Sequence, residues 1–325
     1  MSNPATRYVG HEEPWREWRA ALDGPRMHHG WILAGRKGVG KMPFAVAAAR
    51  KLVADPGVPQ PADHHPDIIV LTHLPATADD EKKRAEGKPF KTKRSISVEQ
   101  IREMQARLTT RPTLGRNRAI IVDPADDLEK HSANALLKSL EEPPQGTFFL
   151  LIAHRPGRLL ATIRSRCRML RFPALADSDI DAILRREVPE ADDTTRAAAI
   201  AASAGSPGGA LDFVKLELGE IYTLMQQIVT DGDPHYSLRG ELAGRIGERP
   251  ARERQLAMLD LARGVLSRKS RSIPSEAIPR LVEAHASLVQ LSGQAPTYNF
   301  DPGLLISEIG NLLASASVPR EAAHG

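Results

Sequence analysis

Residues 31–42 read WILAGRKGVGKM, and this stretch decides the fold of the first half of the chain. The apolar run at residues 31–34 predicts a buried strand, and the glycine-rich segment after it fits the G-x-x-x-x-G-K part of a phosphate-binding loop. Residues 44–53 are rich in alanine and predict a helix. A strand, a glycine-rich loop and a helix in this order surround an anion with backbone N–H groups and the positive end of a helix dipole.

The candidate binding residues of this loop are three glycines and a lysine: Gly35, Gly38, Gly40 and Lys41. The glycines let the backbone turn inward, and Lys41 is placed to neutralise phosphate charge. The alternative is an ordinary glycine-rich turn with an exposed lysine. A hydrolysing phosphate loop carries Ser or Thr after its lysine to bind Mg²⁺, but Met42 stands there. A thioether is a poor ligand for Mg²⁺, so the loop is incomplete for catalysis.

Three more apolar runs, at residues 67–71, 119–123 and 148–153, predict strands that alternate with helices. Continuous apolar runs are typical of parallel strands covered on both faces, so we predict an α/β fold. The third strand ends at Asp123, the acidic residue expected beside a phosphate loop. An ATPase of this architecture has a glutamate next to activate water, whereas Pro124 offers no base. The pocket is therefore predicted to be degenerate.

Beyond residues 172–173 the pattern is helical to the end of the chain. We predict three domains: an α/β domain at residues 1–173, a small helical domain at 174–212 and an all-α domain at 213–325. Asp301 followed by Pro302 predicts the N-cap and first residue of the last helix.

The composition is that of an ordinary globular chain, with 325 residues, 41% hydrophobic and 26% charged, which excludes a disordered or collagen-like protein. The lone cysteine, Cys167, cannot form an intrachain disulfide and fits a reducing cytoplasm. We find neither a membrane-length apolar run nor a leader peptide, and we expect a cytoplasmic protein. The net charge of +4 is compatible with nucleic acid but does not demonstrate binding.

Two later motifs carry a resemblance to a known family. Residues 131–144 read HSANALLKSLEEPP, and residues 163–167 read IRSRC. Following a phosphate loop and an acidic strand end, they resemble the clamp-loader branch of the AAA+ family over about residues 10–215. The resemblance implies an AAA+ P-loop domain with a parallel sheet, a small helical lid domain and an all-α C-terminal collar domain.

The resemblance also implies partners and a role. Clamp loaders are ATP-driven hetero-oligomers that open a sliding clamp and place it on primed DNA during replication. We therefore expect this chain to contact the ATPase subunits gamma and tau and the subunit delta, the clamp indirectly, and primed DNA through backbone contacts. Arg166 matches the arginine finger that enters the ATP site of a neighbouring subunit, and Ser165 is expected to orient its loop. Considered alone, Arg166 would be an ordinary surface or salt-bridged arginine.

The chain departs from the ATPase members of that family at four positions. Ala153 and His154 replace the Thr at the end of the fourth strand, and Gly208 replaces an Arg after the Gly-Ser of the lid. With Met42 and Pro124, these losses predict a subunit that does not hydrolyse ATP and requires no cofactor. Whether ATP or ADP still binds in the degenerate pocket stays open.

Two other functions stay open as alternatives. One is a self-sufficient AAA+ ATPase that uses Lys41 and Asp123, and the other is an independent DNA-binding protein. The basic stretch at residues 82–94, with Arg111, Arg116 and Arg118, is equally compatible with contacts to DNA phosphates and with a solvated loop. We predict that this stretch has no interleaved aromatic residues for base stacking.

No metal site is expected. The four-cysteine zinc module of many loader subunits is absent, and residues 56–65 form a proline-rich segment instead. The histidine pairs His28-His29 and His64-His65 lack partners at ligand spacing. Glu141 and Glu142 could form a general acid/base couple, but they are better explained as the end of a helix stopped by two prolines.

Overall fold

The computed structural model describes five stretches of the chain: residues 10–88, 90–247, 250–270, 273–295 and 300–317. They form two compact units, divided between Leu175 and Ala176. The predicted boundary at residue 173 lies next to this division, while the further division at residue 212 stays a prediction. Within these stretches, no helix has the length and apolar character needed to cross a bilayer.

A five-stranded parallel sheet forms the centre of the first unit, with the strand order β2-β3-β4-β1-β5. The strands are β1 (Gly30–Ala34), β2 (Ile68–Leu71), β3 (Arg118–Val122), β4 (Thr147–Ala153) and β5 (Arg168–Arg171). Every residue of β1 and β3 is buried, which explains their continuous apolar sequence. The four strands predicted from apolar runs are confirmed. The fifth was not predicted, because only two apolar residues lie between Arg168 and Arg171.

Helices pack on both faces of this sheet. The helices of the first unit are α1 (Glu12–Leu22), α2 (Lys41–Val53), α3 (Ala78–Ala85), α4 (Val98–Leu108), α5 (Lys130–Glu141) and α6 (Ala161–Arg164). One core contains Trp18 of α1 and Phe44 of α2, and the other contains Ile101 of α4 and Leu136 of α5. The sheet is thus covered on both sides, as the sequence predicted.

The polar stretch at residues 77–94 differs from the expected loop, because α3 lies within it. The Thr77 side chain caps α3 by accepting the Asp80 N–H at 3.2 Å. The Asp80 carboxylate in turn accepts the Lys91 N–H at 2.9 Å, which joins the two ends of the stretch. Phe90, 38% exposed, also lies among these basic residues, so the judgement that no aromatic interrupts them was wrong.

The described part of the second unit contains only helices and short turns. Its helices are α7 (Asp177–Glu187), α8 (Asp193–Ser203), α9 (Pro207–Lys215), α10 (Gly219–Asp231), α11 (Ser237–Ile246), α12 (Arg252–Lys269), α13 (Ile278–Gln294) and α14 (Pro302–Ser315). The predicted start of the last helix is confirmed, since the Asp301 carboxylate accepts the Leu304 N–H at 3.0 Å. Buried leucines such as Leu259 and Leu288 hold these helices together.

Candidate functional site

The glycine-rich loop at residues 35–40 joins β1 to α2 at the carboxyl edge of the sheet. Gly38 and Gly40 adopt positive φ angles of 76° and 106°, a conformation that favours glycine. Lys41 begins α2 and is only 3% exposed. Its Nζ donates hydrogen bonds to Gly35 O at 2.7 Å and Arg36 O at 2.6 Å. The ammonium group is therefore bound to carbonyl groups of its own loop.

Gly35 is required by a close approach of two backbone segments. A Cβ atom at this position would lie 2.5 Å from Phe172 O, which is shorter than any normal contact. Beside the loop is an open cavity of about 380 Å³. Its lining includes the residues Gly35, Arg36, His154, Arg171 and Phe172. The cavity is bordered by Arg36 and Arg171, and of the four candidate phosphate-binding residues of the loop only Gly35 lines it.

The structure brings Lys41 and Asp123 into one electrostatic environment, as expected for a phosphate loop and an acidic strand end. Burial lowers the pKa of the Lys41 ammonium to about 8, although Asp123 and Asp126 act in the opposite direction. Burial also raises the pKa of Asp123, and the charge of Lys41 limits that rise. Burial thus disfavours the charged form of both groups, and the charge of each partly offsets that effect on the other.

Asp126 was not identified from the sequence, yet it organises this edge. Its side chain is 1% exposed, and its carboxylate accepts the N–H groups of His154 at 2.9 Å and Arg155 at 3.0 Å. Burial and the nearby Lys41 lower the pKa of His154 to about 4, so its imidazole is neutral at pH 7. Asp126 and His154 lie on either side of α5 and β4 in the sequence and come together only in the folded chain. No local sequence pattern could therefore pair them.

Arg166 lies at the amino edge of the sheet, in the loop between α6 and β5. Its Nη2 is 2.9 Å from Glu141 Oε1, and its Nη1 donates to Thr162 O at 3.0 Å. Ser165 Oγ donates to the same carbonyl at 3.0 Å and lies 3.4 Å from Arg166 Nη1. The Arg166 side chain is 36% exposed. The predicted site residues thus fall into two groups at opposite edges of one sheet.

Several other candidates have structural positions. Burial raises the pKa of the Cys167 thiol to about 12, which makes it a poor nucleophile. Arg118 is buried and donates to Arg107 O and Arg111 O, so it is not available to DNA, and including it among the contacts was wrong. Among the described residues, no three His, Cys, Asp or Glu side chains are grouped to hold a metal. Gly208 lies in the first turn of α9.

The strand order and the loop between β1 and α2 define the first unit as a P-loop domain of the AAA+ class. A DNA polymerase III gamma subunit-related protein of Thermotoga maritima has a similar structure, with a TM-score of 0.53 at 16% identity. The match covers 93% of this chain and 99% of that protein. At this identity the similarity shows the fold alone.

A family model described as DNA polymerase III, delta subunit, matches residues 10–176, about half of the chain. The chain belongs to this family. It is 33% identical to DNA polymerase III subunit delta' of Escherichia coli K12, over 59% of this chain and 56% of that protein. It is 32% identical to subunit delta' of Pseudomonas aeruginosa, over 60% of this chain and 58% of that protein. The chain thus spans little more than half the length of these curated relatives.

A more distant match extends further along the chain. Subunit tau of Escherichia coli K12 is 28% identical over 88% of this chain and 42% of that protein. The resemblance to clamp-loader subunits that the motifs predicted is confirmed, with delta' subunits among the relatives.

Proposed function

We propose that this chain is a delta'-type, non-hydrolysing subunit of a DNA polymerase III clamp loader. In this role Arg166 completes the ATP site of a neighbouring gamma or tau subunit. The relatives named delta', gamma and tau support the assignment to such an assembly. The subunit delta, the sliding clamp and primed DNA are its further partners in the proposed cytoplasmic complex, and the C-terminal helices join the collar.

The position of Arg166 carries this proposal. In the parallel register, Trp31 lies opposite Arg168 and Ala34 lies opposite Arg171. The four residues of β5 therefore separate the Arg166 loop from the edge that carries the glycine-rich loop, and their three residue steps span about 10 Å before either loop is counted. Because the guanidinium also points to Glu141 and Thr162, it is directed to the amino edge. This separation from the chain's own glycine-rich loop supports a role for Arg166 at the ATP site of a different molecule.

The chemistry of a guanidinium suits this role. Negative charge spreads over the equatorial oxygens of a phosphoryl group during transfer. An arginine finger stabilises this charge and raises the rate of transfer by about 10³- to 10⁵-fold. Arginine remains charged and presents donors in a planar fork that matches phosphate oxygens. Through Arg166 this chain would stabilise negative charge on the neighbour's nucleotide. It would provide neither a base nor a Mg²⁺ ligand.

The carboxyl edge supports the non-hydrolysing part of the proposal. Met42 and Pro124 lack the groups that bind Mg²⁺ and activate water, and Ala153 and His154 stand where ATPase members of the family carry a threonine. The Lys41 ammonium is bound to the loop carbonyls. These features favour a scaffold with at most a residual nucleotide pocket.

The direct test is Arg166→Ala in a clamp loader reconstituted with its gamma or tau and delta subunits. Hydrolysis at the site that Arg166 completes should fall by about 10³-fold or more, so total turnover falls by at least that site's share. Arg164→Ala is the matched control, because it removes an exposed arginine from the same turn. Unchanged turnover in an intact, saturated complex would reject the finger role.

The self-sufficient ATPase makes the opposite prediction. If the chain alone hydrolyses ATP with Mg²⁺, and Lys41→Ala abolishes that turnover, the proposal is wrong.

Direct DNA contact is tested separately by the salt dependence of binding. A chain that touches only phosphates should lose affinity steeply with added salt and show no preference among sequences.

A further inference from the structure

The side chain that meets Arg166 comes from the end of α5, and that end is firmly held. Leu140 is 1% exposed and anchors the last turn of α5 in the core. The next residue is Glu141, the last of the helix. His29 Nε2 donates to Leu140 O at 2.9 Å, which ties this turn to the chain just before β1. The Glu141 backbone is therefore fixed by its neighbours, although its carboxylate is exposed.

The Arg166 loop is held against the same part of β1. A Cβ atom on Gly30 would lie 2.9 Å from Cys167 Sγ and 3.2 Å from Arg166 O. The loop thus packs directly on Gly30, where only a glycine leaves enough room. Arg166 N also donates to Ile163 O at 3.1 Å, which closes the turn. The backbone beside Glu141 and the backbone of Arg166 are therefore both held against the start of β1, the first by His29 and the second by Gly30.

The contacts of the guanidinium leave part of it available. An arginine has five N–H donors. The acceptors around Arg166 are Glu141 Oε1 at 2.9 Å, Thr162 O at 3.0 Å and Ser165 Oγ at 3.4 Å. Even if each takes a separate N–H, two donors remain, enough for the paired contact that guanidinium groups make with phosphate oxygens. The three acceptors limit the rotation of the side chain without using all its donors.

We propose that Glu141 is a positioning residue, which holds the Arg166 guanidinium in the orientation that serves the neighbouring ATP site. This inference rests on the proposed function of Arg166. Glu141 touches no reacting atom and acts only by restricting the arginine. The ion pair is partly exposed, so we expect its contribution to the rate to be small, and we expect it mainly in the transition state.

The test is Glu141→Gln in the assembled clamp loader, with kcat and KM for ATP measured separately. The substitution keeps the size of the side chain and removes its charge. We expect kcat at the Arg166-dependent site to fall by about 2- to 5-fold with KM unchanged, because the interaction is used mainly in the transition state. Glu141→Asp, which keeps the charge on a shorter side chain, should restore part of the loss.

Glu142→Gln is the matched control, since Glu142 is the adjacent, exposed glutamate and the described residues offer it no ion-pair partner within 4.0 Å. It should leave kcat unchanged. In the Arg166→Ala background, Glu141→Gln should have no further effect, because the residue it positions is gone.

The outcomes separate this inference from the proposed function. If Arg166→Ala lowers turnover while Glu141→Gln leaves it unchanged or raises it, the positioning role is overturned and the finger role stands. An equal loss from Glu141→Gln with and without Arg166 would also overturn it, because the effect would be structural. If Arg166→Ala has no effect, the proposed function itself fails.

Discussion

At the carboxyl edge of the sheet, the Lys41 ammonium and the Asp126 carboxylate are almost completely buried and bound to backbone groups. At the amino edge, Arg166 and Glu141 are 36% and 47% exposed and form an ion pair, and Arg166 also donates to Thr162 O. Both edges thus carry a cation and an anion. Buried charges that satisfy backbone atoms are fixed in the structure, whereas a half-exposed guanidinium can exchange its partners for those of another molecule.

This comparison predicts the largest effect for Asp126→Ala. The substitution removes a buried carboxylate that accepts two hydrogen bonds, from the partly buried N–H of His154 and the exposed N–H of Arg155. At about 1.5–3 kcal/mol for a hydrogen bond to a charged group, the free energy of unfolding should fall by about 3 kcal/mol. Urea denaturation of the isolated chain measures this loss.

The matched substitution at the other edge is Glu141→Ala. It breaks a partly exposed ion pair and should cost less than about 1 kcal/mol. If Asp126→Ala and Glu141→Ala destabilise the chain equally, it is wrong that charges at the carboxyl edge stabilise the fold more than those at the amino edge.

The second prediction concerns the close packing of the glycine-rich loop. In Gly35→Ala the new Cβ would lie 2.5 Å from Phe172 O, so the backbone must move. We expect a loss of about 2 kcal/mol, typical of overpacking. Gly157→Ala at the same edge is the control, because nothing lies within 4 Å of its Cβ position. Similar melting temperatures for the two variants would show that the loop is less constrained than its geometry indicates.

The sequence predicted strands well where they are buried on both faces. β1, β3 and β4 are continuous apolar runs because helices cover both sides of them. β5 escaped prediction because it is an edge strand with arginines at both ends, Arg168 and Arg171. Its pairing with β1 and the burial of Leu170 stabilise it as a strand, and a pairing partner distant in the chain leaves no periodic signal.

The candidate site divides in the same way. The glycine-rich loop is a local motif, and residues 35–41 could be identified because phosphate binding requires glycines and a lysine at fixed spacing. Asp126 with His154, and Glu141 with Arg166, are pairs that only the packing of strands and helices creates. Arg166 became a candidate only through the resemblance of residues 163–167 to a family motif, since an isolated arginine in a basic segment carries no signal.

The third prediction uses the titration of His154. An unfolded histidine has a pKa near 6.5, and burial beside Lys41 lowers the pKa of His154 to about 4. Between these values the unfolded chain binds a proton that the native chain does not. The stability contributed by the neutral imidazole is therefore present above pH 6.5 and is lost as the pH falls towards 4.

Between pH 6.5 and pH 5 the wild type should lose about 1–2 kcal/mol through this group. The variant His154→Gln, which has no proton to bind, should lose less by that amount. Urea denaturation of both proteins at pH 7 and pH 5 gives the difference. Parallel losses would mean that His154 takes up a proton as readily in the native chain as in the unfolded chain, and that the carboxyl edge is more open to water than its burial indicates.

The smallest effect is expected for Arg166→Ala on the stability of the isolated chain. The substitution removes a partly exposed ion pair with Glu141 and one hydrogen bond to Thr162 O, so the free energy of unfolding should change by less than about 0.5 to 1 kcal/mol. Arg118→Ala is the contrasting variant, because it removes a buried guanidinium that donates to several backbone carbonyls and should cost several times more.

A large loss of stability from Arg166→Ala would mean that the amino edge stabilises the fold as the carboxyl edge does. Any fall in turnover of the assembled loader would then reflect a damaged subunit. A small loss, together with that fall in turnover, would mean that the chain can give up this arginine at little cost to its own fold, as expected of a side chain that acts on another molecule.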